Sequence, residues 1–384
     1  MGYTSDEKKL SLHFRNGMSD GMIPGTGISL VSVMFHSHNG YIIPERKDIP
    51  SVFRSLFRSR EMTLSNNNFM YYILLPDGLF AGRGAIILLH GLNERSWNKY
   101  MPWAVRLASD TRRPVVLFPI AYHMNRSPHS WVDRHVMMPL LSARAAAEPR
   151  ARLSTFINVA LSTRLSASPQ CFMQSGYQTV SDLAELTDMI SSGHHPYIRS
   201  KGPVDIFGYS IGAMVAQVLM LSQPGMLSEE SRVMLFCGGS VLEQMNGISK
   251  HIMDSRAFDS LMSFYIRQIK RTDEIRNDSF MYILKETAAG RTFYAMTSLS
   301  RMKKIMGTPF RHMEGRLKAV TLSCDRVIPP SAVTQTMKGS EVEILSPDYP
   351  CIHENPFPVF ADERSSAVDR MFDQLFSSAA TFLS

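Results

Sequence analysis

The sequence predicts an α/β fold: a mostly parallel central sheet flanked by helices. Three observations carry this expectation. Short apolar, β-rich runs recur along the chain, helical repeats fill the intervals between them, and the chain ends in a long amphipathic helix pattern. The runs AIILLHG (85–91), PVVLFPI (114–120), VDIFGYS (204–210) and VMLFCGG (233–239) are apolar without alternation, as expected of strands buried on both faces. LKAVTLSCD (317–325) and EVEILSP (341–347) read as two further core strands. ISLVSVMFHS (28–37) and NFMYYILLP (68–76) read as antiparallel edge strands.

Helices are expected between and after these runs. From Val180, the residues Leu183, Leu186, Met189 and Ile190 repeat at helical spacing, and Val368, Met371, Phe372, Leu375, Phe376 and Ala379 form one apolar stripe near the C-terminus. Two intervals, 121–175 and 240–316, are too long to be plain connections. The second is rich in Met and aromatic residues, among them Met253, Phe264, Tyr265, Phe293 and Met302, as an adaptable helical cap would be. The expected organisation is an N-terminal extension (1–64) adding edge strands, a core of 65–239 and 317–384 carrying the insertion 121–175, and a helical cap at 240–316.

Composition narrows the function classes. The chain has 384 residues, 44% hydrophobic and 20% charged, which suits a globular protein and excludes disorder. Its 41 Lys and Arg against 34 Asp and Glu give +7, but the charges are scattered, so no nucleic-acid partner is expected. No run reaches the ~18 apolar residues of a membrane span, and the N-terminus lacks the apolar core of a signal peptide. A cytoplasmic location is the expectation. The four cysteines, Cys171, Cys237, Cys324 and Cys351, are widely spaced and read as free thiols. No pattern in the chain specifies an oligomeric state.

The segment VDIFGYSIGAMVAQ (204–217) carries the chemistry. A strand runs into G-Y-S-I-G and a helix begins at once, the arrangement of a nucleophile elbow. Gly208 and Gly212 are needed because a Cβ at either would collide with neighbouring backbone. Ser210 is then presented at the strand's C-terminal edge, next to the unpaired N–H groups of a helix N-terminus. A serine hydroxyl needs a base and an orienting acid. In this architecture they follow in the order Ser, acid, His, each just past a later strand. Asp325 closes AVTLSCD and His353 lies in SPDYPCIHENPF after the strand at 341, so both occupy expected positions. Asp348 and Glu243 are weaker competitors for the acid.

With HGLNE (90–94), GYSIG, the D-R-V-I-P-P segment and the terminal His, the chain resembles the α/β-hydrolase superfamily over roughly residues 65–384, apart from the two insertions. The resemblance implies an oxyanion hole formed by the backbone N–H of Ile211 and that of Leu92 or Asn93. The expected activity is a serine hydrolase that cleaves a carboxylic ester or thioester through an acyl-enzyme. The same triad would also serve an acyltransferase, and a non-catalytic hydrolase-fold binding protein is the reading from another class. The expected partner is a small-molecule acyl substrate with an apolar group. No cofactor and no metal are expected: the groups His36 and His38, His123, His129 and His135, and His194 and His195 lack zinc-ligand spacing. His90 reads as a loop-stabilising residue. His123 and Arg126 could touch substrate, with loop stabilisation the stronger reading, and Cys324 reads as a packing residue.

Overall fold

Side chains of successive strand residues leave opposite faces of a sheet, so an unbroken apolar run makes sense only where both faces are covered. The computed structural model describes residues 2–14, 17–39, 49–57, 59–78, 84–199, 201–222, 227–269 and 278–384. Among them nine strands form one sheet: β1 (Gly21–Ile23), β2 (Ile28–His36), β3 (Asn68–Pro76), β4 (Ile86–Leu89), β5 (Val115–Leu117), β6 (Asp205–Tyr209), β7 (Val233–Phe236), β8 (Leu317–Leu322) and β9 (Glu341–Leu345). Their spatial order is β1-β2-β3-β5-β4-β6-β7-β8-β9. Pairings from β1 to β5 are antiparallel, and all others, from β5–β4 to β8–β9, are parallel. This is the α/β-hydrolase fold expected from the sequence.

Every strand expected from the sequence is present. The runs at 28–37 and 68–76 are antiparallel as expected, but neither is an edge. The edges are β1, a three-residue strand in which only Ile23 is buried, too short for an alternation signal to register, and β9, expected as a core strand but buried only at Leu345.

The double burial is explicit in the side chains. Ile87, Leu89, Val116, Ile206 and Leu235 point to one face, against the helices Gln170–Ser191 and Ile211–Ser222. Ile86, Leu88, Leu117, Phe207 and Phe236 point to the other, against Met101–Thr111 and Arg364–Leu383. Each such side chain removed from water contributes roughly 1.5–3 kcal/mol, and this fixes the register of the strands. All six residues of the C-terminal stripe are buried. The helix expected around Val180 starts earlier, at Gln170, where Cys171, Phe172 and Met173 extend its buried side.

Both long intervals are helical in part. Residues 240–316 contain helices Ser255–Met262, Asp278–Glu286, Ala288–Ala295 and Leu299–Met306, while 270–277 of the expected cap lie outside the described residues. Phe264, Tyr265, Phe293 and Met302 join the same continuous core as Val180 and Val215. The interval 121–175 holds Arg134–Ala147 and Val159–Ala167. A smaller core, in which Phe53, Leu56 and Met62 meet Trp131, Leu140 and Val159, ties it to the N-terminal segment. A buried ion pair joins the two intervals: Arg144 Nε and Nη2 lie 2.6 and 2.8 Å from the Asp254 carboxylate. No helix among the described residues is long and apolar enough to cross a membrane.

Candidate active site

Ser210 sits between the last residue of β6 and the first of the helix Ile211–Ser222, with φ of 56°. A left-handed conformation costs a side-chain-bearing residue roughly 1–2 kcal/mol. The turn is held by Ser210 N–H donating to Phe236 O at 3.0 Å and Ala213 N–H donating to Ser210 O at 3.0 Å. The flanking glycines have the reason given by the sequence argument. A Cβ on Gly208 would lie 2.8 Å from Gly212 O, and one on Gly212 would lie 2.6 Å from Leu89 O.

The three residues singled out at the sheet's C-terminal rim meet. Ser210 Oγ lies 2.7 Å from His353 Nε2, and His353 Nδ1 lies 2.8 Å from Asp325 Oδ2. All three are buried, at 6%, 4% and 4% exposure. The other oxygen of Asp325 accepts from the N–H groups of Val327 and Ile328, both at 2.9 Å. With its carboxylate so anchored, Asp325 draws the proton of the neutral imidazole to Nδ1 and leaves Nε2 free to accept from the serine hydroxyl. The imidazole lies nearly parallel to the Tyr209 ring, and the Tyr209 hydroxyl donates to His353 O.

Ile211 and Leu92 line the small cavity of about 40 Å³ into which Ser210 opens, with Leu242, Met253 and Ile328 around them. Among the described residues, none accepts a hydrogen bond from the backbone N–H of Ile211, Leu92 or Asn93. Asn93, at φ 63°, belongs to this loop too, and its side-chain amide donates to Ile157 O at 3.2 Å and to His251 O at 2.7 Å. The loop is thereby tied to both long intervals.

Other residues raised by the sequence have structural partners. His90 donates from Nδ1 to Gly91 O and accepts from Ile120 N–H at Nε2, and burial holds its pKa well below the ordinary value, so it is a neutral brace between the loop and the segment that follows β5. Arg126 is paired with Asp182 at 2.9 Å and also donates to Asn66 O and Pro119 O. His123 lines a neighbouring cavity. Asp348 is at the surface beside Arg370, and Glu243 accepts from the N–H of Leu299. His36, His194 and His195 are hydrogen-bonded to Asn68, Ser192 and Tyr71 respectively.

Other residues of the neighbourhood include three cysteines and two arginines. Among the described residues the one group close enough to share a metal ion is Cys237, Asp325 and His353. Two of its members already bond to each other, and burial, followed by the Asp325 charge, pushes the Cys237 thiol well above its ordinary range. Cys324, expected to be a packing residue, is instead exposed, and its Sγ lies 2.7 Å from that of Cys351, both of them free thiols. Arg95 and Arg164 line the neighbouring cavity. Arg95 was legible as a cation directly after HGLNE, whereas Arg164 carried no signal of its own.

Comparison with curated proteins finds no match. Solved structures that superpose include carboxyl esterase 2 of the mycorrhizal fungus Tuber melanosporum, at TM-score 0.46 and 10% identity, covering 96% of this chain and 90% of that one. A thermostable esterase from Pseudomonas putida gives TM-score 0.46 at 10% identity, covering 100% and 91%. A cold-adapted esterase from an Arctic intertidal metagenomic library gives 0.40 at 9%, covering 94% and 99%. Likenesses this distant add nothing to the fold assignment, which rests on strand order and direction. A sequence family, by contrast, matches residues 1–384 in full, and the chain belongs to it: DUF6051, a family of unknown function.

Proposed function

We propose that the protein is a serine hydrolase that cleaves a carboxylic ester or thioester. The observation that carries this reading is the unbroken hydrogen-bond chain from Ser210 Oγ through His353 to Asp325, with the second oxygen of Asp325 held by two backbone amides. His353 Nε2 takes the hydroxyl proton as Ser210 Oγ attacks the acyl carbon. The resulting oxyanion faces the N–H groups of Ile211 and of Leu92 or Asn93, each contributing about 3 kcal/mol of transition-state stabilisation. His353 then passes its proton to the leaving alkoxide or thiolate, and the acyl group stays on Ser210. Water, deprotonated by the same imidazole, releases the acid and restores the serine. Asp325 stays ionised throughout and keeps the ring in the tautomer that the first step needs. The helices of 240–316 act as a cap over this site, and their apolar residues receive the apolar part of the substrate.

The test is a series of p-nitrophenyl esters of graded chain length against wild type and Ser210→Ala, with fluorophosphonate labelling of both. Wild type should turn over short to medium esters and be labelled at Ser210, and the variant should do neither. Equal turnover by the two proteins, or labelling elsewhere, would remove Ser210 from the chemistry.

A further inference from the structure

Beside the Ser210 site lies a second cavity of about 50 Å³. Leu92, Phe172 and Ile211 line both, so the two spaces share a wall. Its lining is mostly apolar, with Ile120, Leu165 and Met214, and it includes two arginines, Arg95 and Arg164. Arg164 is 3% exposed, and its Nε and Nη2 are buried without a hydrogen-bond partner among the described residues. Arg95 Nε and Nη1 are in the same condition, while its Nη2 donates to Asn93 Oδ1 at 2.8 Å.

Among the described residues both cations face π systems and neither is paired with an acid. The guanidinium carbons of Arg95 and Arg164 lie 5.5 and 5.0 Å from the centre of the Trp131 ring, and that of Arg164 lies 4.3 Å from the Tyr122 ring. Three other buried arginines are paired with acids, Arg113 with Asp205, Arg126 with Asp182 and Arg144 with Asp254, whereas buried Arg301 donates to the carbonyls of Tyr265 and Ile266 and faces the Tyr294 ring. Arg164 also contacts the Cys171 thiol, but burial raises that thiol's pKa, so it supplies no negative charge. Burial and the adjacent Arg164 charge bring Arg95 down to about 10, with no acid opposing them.

Two like charges side by side, with four buried donor nitrogens unpaired among the described residues, are a costly arrangement unless an anion enters. We propose that this cavity binds an oxyanion of the substrate, a carboxylate or a phosphate, through Arg95 and Arg164. The forked donors of arginine suit such a group. The volume does as well: a water needs roughly 10–15 Å³ of such space, so a small acid group fits. The inference rests on the hydrolase reading and narrows it to esters bearing an anionic group. Asn93 links the two functions, since it receives Arg95 while belonging to the loop beside Ser210.

The test compares the mono-p-nitrophenyl ester of glutarate with p-nitrophenyl pentanoate, its neutral counterpart, in wild type, Arg95→Gln and Arg164→Gln. A second arm measures thermal stabilisation of the folded Ser210→Ala protein by glutarate, by inorganic phosphate and by chloride at equal ionic strength. The expected result is a preference of roughly tenfold or more in kcat/KM for the charged ester, falling towards parity in either arginine variant. Glutarate or phosphate, but not chloride, should raise the Tm of Ser210→Ala, and whichever raises it more identifies the acid group. Equal turnover of the two esters, with Ser210 labelled by fluorophosphonate and no stabilisation, overturns the anion site and leaves the hydrolase reading intact. Stabilisation of Ser210→Ala that disappears in Ser210→Ala/Arg164→Gln, together with a wild type that neither labels nor turns over esters, upholds the anion site and overturns the hydrolase reading.

Discussion

Ser210 Oγ and His353 Nε2, 143 positions apart in the chain, lie 2.7 Å apart beneath the loops at the rim of the sheet. Groups that act as one unit lose their effect together. His353→Ala should therefore cost about as much as Ser210→Ala, on the order of 10³-fold or more in kcat, and the double variant should be no slower than either. Additive losses in a kinetic comparison of the three proteins would show that the two side chains work independently.

Asp325 accepts from His353 Nδ1–H and from two amides at once. In Asp325→Asn the amide cannot hold the imidazole in the same tautomer, and kcat should fall by roughly 10³–10⁴ while the fold is kept. Retention of most activity in steady-state assays of a folded variant would point to Glu243 or another acid.

Gly212 is confined by Leu89 O, 2.6 Å from where a Cβ would lie. Gly212→Ala must push the helix away from β4, at a cost of about 1–3 kcal/mol, and must also move Ser210. Urea unfolding should report the lower stability and fluorophosphonate labelling the slower reaction. An unchanged urea midpoint would mean that the helix shifts without cost.

His195 accepts at Nδ1 from the N–H groups of Tyr197 and Ile198, at 3.2 and 3.0 Å, and meets the Tyr71 hydroxyl at Nε2 at 2.7 Å. A proton on Nδ1 would face two donors, and burial already brings the pKa from 6.5 to about 4. Between those values the unfolded chain binds the proton and the folded one does not, so stability is full above pH 6.5 and declines as pH falls towards 4. From pH 7 to 5 the loss from this residue is on the order of 2 kcal/mol. Urea midpoints across that range should fall less steeply in His195→Gln, and an identical slope would assign the acid sensitivity to other groups.

Asp254 receives Arg144, the Ser154 hydroxyl and the N–H of Ala257. Burial raises its pKa, but the hydrogen bond and charge of Arg144 outweigh this and bring it below 3.8. Asp254→Asn leaves the Arg144 charge buried without its counter-ion and should cost roughly 3–5 kcal/mol. Equilibrium unfolding checks this. A loss below about 1 kcal/mol would be that of an exposed pair.

Much of this protein was legible because the relevant physics is local. A strand buried on both faces must be continuously apolar, and the runs at 85–91 and 204–210 show it. A serine presented between a strand and a helix needs glycines where a Cβ would strike backbone, and Gly208 and Gly212 stand there. The order of serine, acid and histidine along the chain follows from the same strand succession, which is why Ser210, Asp325 and His353 could be selected before their distances were known. Other features depend on which faces meet, and no local pattern encodes that. Cys324 and Cys351 flank the proposed acid and base in the sequence, but that their thiols lie side by side follows only from the meeting of the Asp325 and His353 loops. Strand β1 exists because β2 offers it an edge. Arg95 and Arg164 share a cavity because long-range burial of Trp131 against Phe53 and Leu56 folds the 121–175 interval over the loop after β4. The sequence by itself determined the layers and the elements that carry the reactive groups. Tertiary packing decided what surrounds them, because burial acts between surfaces far apart in the chain.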